Sequence, residues 1–135
     1  KGEVMEILNV LAAAFGAYAF SAVWYIGMSK RWIAAAGIPT DASGKPQGNG
    51  SAMPFVIAFV ALVLVAGMMR HVFATSGLDT IGDGVMGGAG VGAFFITPWV
   101  GMNYAFGMRK FSLWWIDSVN AVAGCTIMGV ILTLF

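Results

Sequence analysis

Four stretches of this chain, about Ile7–Met28, Met53–Ala74, Ile81–Met108 and Leu113–Phe135, are apolar almost without interruption. A helix needs roughly 20 consecutive apolar residues to cross the hydrocarbon core of a bilayer, and each stretch reaches that length. The reading that follows is an all-α, polytopic integral membrane protein with four transmembrane helices in one compact unit over residues 1–135.

Composition supports this. Only 10% of the 135 residues are charged and 59% are hydrophobic, whereas a soluble domain carries about 25% charged residues to clothe its surface. A net charge of +1 without a basic stripe gives no footprint for nucleic acid. The one cysteine, Cys125, excludes an internal disulfide and any zinc-type cysteine cluster.

The edges of the stretches carry helix signals. Ser51 three residues ahead of Pro54 predicts a polar cap and a first-turn proline for the second helix. Thr80 with Asp83 has the capping-box spacing for the third, and Ser112 is the expected cap of the fourth. Glu3 and Glu6 occupy the place where a signal peptide would be basic, so the first stretch is expected to stay as an anchor. In the connection 29–52, Arg31–Ile38 is expected at the membrane interface and the Gly/Pro/Ser/Asn-rich remainder is expected to be mobile.

Lys30, Arg31, Lys45, Arg109 and Lys110 fall on one side of the predicted membrane, against Lys1 and Arg70 on the other with Glu3, Glu6, Asp79 and Asp83. Cations collect in cytoplasmic loops, which predicts both termini on the periplasmic side. Trp24, Tyr25, Trp32, Trp114 and Trp115 would then form an aromatic belt at the cytoplasmic surface.

Polar residues inside the stretches are the candidates for chemistry. At 1.5 Å per residue Asp117 lies about 7 Å into the fourth helix from Ser112, with Asn120 a turn deeper. Asn103, Tyr104, Ser21, Trp24 and Tyr25 reach similar depth, which predicts one polar and aromatic cluster built from three helices. The simpler role is interhelical hydrogen bonding, with Asp117 paired to Arg109 or Lys110; the alternative is a proton or solute site at Asp117 oriented by Asn120 and Asn103. At the other end, Arg70 and His71 are expected to pair with Asp79 and Asp83 across a short connection. His71 as an axial ligand for a haem or pigment lacks a second ligand, so no cofactor and no metal is expected.

The third helix is glycine-rich. Gly84, Gly88 and Gly92 fall four apart on one face, a pattern that permits close backbone approach, with Ala12 and Gly16 of the first helix as a candidate counterpart or a second copy forming a seam. Pro98 should kink the same helix. Gly82, Gly84 and Gly87 match G-x-G-x-x-G without the preceding strand that a dinucleotide site needs, and Asn49-Gly50-Ser51 matches a glycosylation sequon. No catalytic triad, paired carboxylates or P-loop is present, so no enzymatic activity is expected.

Ala22-Val23-Trp24-Tyr25 with Trp32, the run from the glycine-rich helix into Thr97-Pro98 and Asn103-Tyr104, and Trp114 through Asp117 and Asn120 to Gly124 resemble a bacterial family of short four-helix membrane proteins, domain of unknown function 1761. Phe55 to His71 and Phe94 to Gly107 look like its alphaproteobacterial members. The resemblance covers nearly the whole chain. It implies a multi-pass protein of a bacterial inner membrane and carries no catalytic or binding residue with it. The Lys30-Arg31 pair and the glycine-rich tail after the first helix depart from the family's pattern. Two expectations for function remain: a noncatalytic structural or accessory protein that packs against itself or a larger membrane complex, and a small-solute or proton transporter or channel passing Asp117, Asn120 and Asn103.

Overall fold

A computed structural model describes residues 2–48 and 50–135. The described chain is helical: α1 (Glu3–Gly27), α2 (Ser29–Ala36), α3 (Met53–Ser76), α4 (Ile81–Gly90), α5 (Thr97–Phe106) and α6 (Phe111–Leu134), with a π-helical segment, Val91–Ile96, joining α4 to α5. Four helical spans, Glu3–Gly27, Met53–Ser76, Ile81–Phe106 and Phe111–Leu134, are long and apolar enough to cross a membrane. Their outer flanks are apolar too: Phe94, Phe95, Phe106, Leu64 and Phe15 are all well exposed. Soluble proteins rarely display that much contiguous apolar surface, whereas lipid covers it without cost.

The helices run up and down in turn. Tyr18 of α1 meets Phe55 and Phe59 of α3, while Arg70 near the far end of α3 reaches Glu6 and Asn9 at the start of α1. α6 lies antiparallel to both α1 and α4, and is the most buried of the spans. Along α1 and α6 the contacts form a ladder: Tyr25 with Asp117, Ser21 with Asn120, Ala17 with Gly124, and Asn9 with Ile131. The first steps are three to four residues on each helix and the last, to Asn9 and Ile131, is seven to eight, so all lie on the repeat of one helical face.

Small residues decide how closely α4 approaches α6. A Cβ added to Gly84 would strike the Gly129 carbonyl, one on Gly88 the Cys125 carbonyl, and one on Gly92 would stand 2.6 Å from the Val122 Cα. The counterpart of the glycine face is therefore α6 of the same chain, not Ala12 and Gly16, and the seam is occupied within the bundle. Gly16 instead lies beneath the Ile127 and Ile131 side chains, and Ala12 is half-buried on α1. Between lipid-covered helices no hydrophobic force acts, so close packing of this kind supplies much of the association.

The helix ends follow the sequence in part. Thr80 Oγ1 accepts from the Asp83 N–H at 3.0 Å and Asp83 accepts from the Thr80 N–H at 3.2 Å, the capping box expected for α4. Pro54 sits in the first turn of α3, but the cap position is Ala52, and Ser51 makes no cap. Ser112 lies inside the first turn of α6, whose cap position is Lys110, because the helix begins two residues earlier than the polar signal suggested. Pro98, which has no N–H to give to the preceding turn, lies in the first turn of α5, just after the π-helical segment. Asn49 of the sequon lies outside the described residues, as does Lys1.

The connection between α2 and α3 carries local structure. Asp41 Oδ1 accepts from the Ser43 hydroxyl at 2.6 Å, the Ser43 N–H at 2.9 Å and the Lys45 N–H at 3.0 Å, under a bridge between Thr40 and Pro46. α2 itself ends on Gly37 in the left-handed conformation (φ 69°).

Candidate functional site

Two layers of polar groups join the spans. The first is centred on Asp117 in the second turn of α6. Tyr25, in the last turn of α1, donates its hydroxyl to Asp117 Oδ1 at 2.5 Å, and Tyr104, near the end of α5, donates to Oδ2 at 2.5 Å. One carboxylate thus ties three helices. Ser21 donates to Asn120 Oδ1 at 2.9 Å one turn deeper, and the Trp24 indole N–H reaches the Ile116 carbonyl at 2.9 Å. The two bonds to Asp117, at 2.5 Å, stand at the short end of the range for O–H···O hydrogen bonds.

Aromatic rings close the layer on the basic side. Tyr25 packs edge-on to Trp32 of α2 with centroids 6.1 Å apart, and Trp24 lies 6.1 Å from Trp115. Ala35, Leu113 and Ile116 form the small buried core beneath them. Arg109 and Lys110 do not pair with Asp117. The Arg109 guanidinium donates to the Ala36 carbonyl at 3.0 Å and lies 5.8 Å from the Tyr104 ring centre, and Lys110 Nζ donates to the Ala34 carbonyl at 3.4 Å. Both cations hold the last turn of α2, whose free carbonyls attract positive charge.

Asn103 is not brought into this layer. It is exposed, because successive helical residues are turned by about 100°, and Tyr104 takes the face toward Asp117. Asn120 is reached through Ser21 instead.

The second layer lies at the opposite end. Arg70 donates to the Asn9 side-chain oxygen and stands 3.8 Å from Glu6, while Asn9, fully buried, donates through Nδ2 to the Ile131 carbonyl at 3.0 Å. The expected pairing of Arg70 and His71 with Asp79 and Asp83 is absent among the described residues: Asp83 caps α4, and His71 and Asp79 are exposed. Nothing in the sequence spacing marked Asn9, and its burial among Ala13, Ala14 and Ala17 follows only from the arrangement of helices.

Between the layers the core is apolar, with Ala13, Ala14, Ala17, Ala66, Met69, Cys125 and Met128 all buried. Asn9 and Ser21 are about 18 Å apart along α1. Cys125 is a free, buried thiol, and no group of three or more His, Cys, Asp or Glu able to hold a metal occurs among the described residues. Gly82, Gly84 and Gly87 lie in the first turns of α4, so their spacing is not that of a dinucleotide loop.

Residues 8–133 match a family model described as a protein of unknown function (DUF1761). The chain belongs to this family. The matched region of this DUF1761 chain runs from the first turns of α1 nearly to the end of α6 and so includes Tyr25, Tyr104, Asp117, Asn9 and Arg70. No curated protein and no solved structure matches it.

Proposed function

We propose that this DUF1761 protein is a noncatalytic structural or accessory protein of a bacterial inner membrane, working by helix packing with a second copy or with a larger membrane complex. The observation that carries the reading is that Asp117, Asn120, Asn9 and Arg70 are each engaged by another helix of the same chain. A site for a substrate needs polar groups that remain available to it, and these are taken. What the protein offers its surroundings is an apolar outer face, including Phe94, Phe95 and Trp99.

The cations Lys30, Arg31, Arg109 and Lys110 lie at one end of the bundle, which on the positive-inside rule supports a cytoplasmic position for that end and a periplasmic one for the termini. Native mass spectrometry of the full chain, extracted at natural abundance in mild detergent, tests the reading. A complex with a second copy or a larger partner is expected, and a strictly monomeric chain without a partner contradicts it.

One observation favours a second reading, a proton or small-solute transporter. Tyr104 both bonds Asp117 and lines a groove open to the outside, so the carboxylate lies one hydroxyl from the surface. The apolar core between the two polar layers opposes it. On that reading Asp117→Asn abolishes flux in reconstituted vesicles; absence of flux in the unaltered protein defeats it.

A further inference from the structure

Two grooves open at the basic end of the bundle, one on each side of Lys110 and Phe111. The larger, about 700 Å³, runs between α5 and the start of α6 along Phe94, Pro98, Gly101, Ala105 and Trp114. The smaller, about 400 Å³, lies between α2 and α6 along Met28, Ala34, Ala35, Trp115 and Ile116. Lys110 and Phe111 line both, so they form the partition. Both volumes fall within the range of ordinary ligand sites.

We propose that this end of the bundle binds one anionic diacyl phospholipid, its phosphate held by Lys110 and Arg31 and its two acyl chains lying on either side of Phe111. The inference does not depend on the accessory role proposed above.

Charge selects the headgroup. Arg31 lines the smaller groove, Arg109 the larger and Lys110 both, and no carboxylate lines either. The salt bridge among the described residues, Arg70 with Glu6, is at the opposite end. Asp117, the acidic group nearest by sequence, already accepts from two tyrosines. Lys110 donates one bond to Ala34, and an ammonium has three N–H donors, so it retains donors for a phosphate oxygen. Basic pockets between membrane helices on the cytoplasmic side are a recurring form of anionic headgroup recognition.

The apolar walls select the rest of the molecule. A water-soluble phosphate has no use for grooves lined by Phe94, Pro98 and Trp114, and a single-chain amphiphile fills one groove and leaves the other open. The depth is also right, since Lys110 and Phe111 stand at the start of a spanning helix, where phosphates and the indoles of an aromatic belt lie at the same level.

The test is native mass spectrometry of the full chain, delipidated in detergent and offered phosphatidylglycerol or phosphatidylcholine. One phosphatidylglycerol per chain is expected to be retained, with about tenfold preference over phosphatidylcholine. Lys110→Gln and Arg31→Gln should each lower that preference about fivefold. Lys45→Gln, on the same side of the membrane but lining neither groove, should leave it unchanged. Ala105→Trp, which fills the larger groove from an exposed position, should lower retention of both lipids. If circular dichroism shows that Lys110→Gln does not fold, Arg31→Gln decides alone, because that side chain is exposed on α2. Equal retention of the two lipids, an equal loss in Lys45→Gln, or displacement of the lipid by soluble glycerol phosphate overturns the proposal.

Discussion

Tyr25 and Asp117, 92 positions apart in the chain, meet hydroxyl to carboxylate at 2.5 Å. Tyr104 takes the other carboxylate oxygen at the same distance, so α1, α5 and α6 converge on one side chain. Interhelical hydrogen bonds inside membranes contribute about 0.6 kcal/mol on average and up to about 1.7. Tyr25→Phe and Tyr104→Phe should each lower stability by an amount in that range. Asp117→Ala removes the acceptor and leaves two hydroxyls without a partner, and should cost more, about 2 to 3 kcal/mol. Equilibrium unfolding in mixed micelles measures all three.

The glycine face gives a prediction with its own control. Gly88→Ala places a methyl group against the Cys125 carbonyl, where neither backbone can yield, and should destabilise by about 2 kcal/mol or more. Gly90 lies two residues on in the same helix with nothing within 4 Å of an added Cβ. Gly90→Ala should be neutral or slightly stabilising, because alanine favours the helix over glycine. Thermal unfolding of the two variants in detergent separates a packing seam from a general intolerance of substitution in α4.

At the other polar layer, Asn9 joins Arg70 of α3 to the Ile131 carbonyl of α6. Asn9→Leu should cost about 3 kcal/mol, since it leaves a largely sheltered guanidinium without its side-chain acceptor. Glu6, about half exposed, is a surface partner, and Glu6→Gln should cost less than about 1 kcal/mol. Asp79→Asn should change nothing. The same unfolding measurement ranks the three, and a loss in Asp79→Asn larger than in Asn9→Leu would contradict the pairing.

Both successes and misses of sequence reasoning have physical causes. The spans are written in the lengths of apolar runs, and the α4 cap in the spacing of Thr80 and Asp83, because each depends only on residues near one another in the chain. The common depth of Tyr25, Tyr104 and Asp117 follows from counting 1.5 Å per residue. Depth does not give direction, and that is where Asn103 differs: Tyr104 takes the face toward Asp117, and Asn103, turned by about 100°, is exposed. The partner of the glycine face and the pairing of Arg70 with Asn9 depend on which helices become neighbours. The loop around Asp41, expected from its composition to be mobile, takes its local order from one carboxylate, the Ser43 hydroxyl and the backbone.

That loop carries a pH dependence. The Ser43 hydroxyl bond and the backbone N–H bonds from Lys45, Ser43 and Gly44 hold the Asp41 carboxyl below its ordinary 3.8. A depressed folded pKa means that the stabilisation is fully present above the ordinary value and is lost as pH falls through the lower, folded one. Amide hydrogen exchange at Ser43 and Lys45 should therefore be protected at neutral pH, and that protection should decline only below about 3.8. Asp41→Asn should remove this pH dependence.

The view that intramembrane polar groups bind this chain's own helices together meets its sharpest test in a double-mutant cycle of Tyr25→Phe with Asp117→Ala, read by unfolding in mixed micelles. A coupling energy of about 0.6 to 1.7 kcal/mol is predicted. Effects that add to within about 0.3 kcal/mol would show that the two side chains do not hold each other and would contradict it.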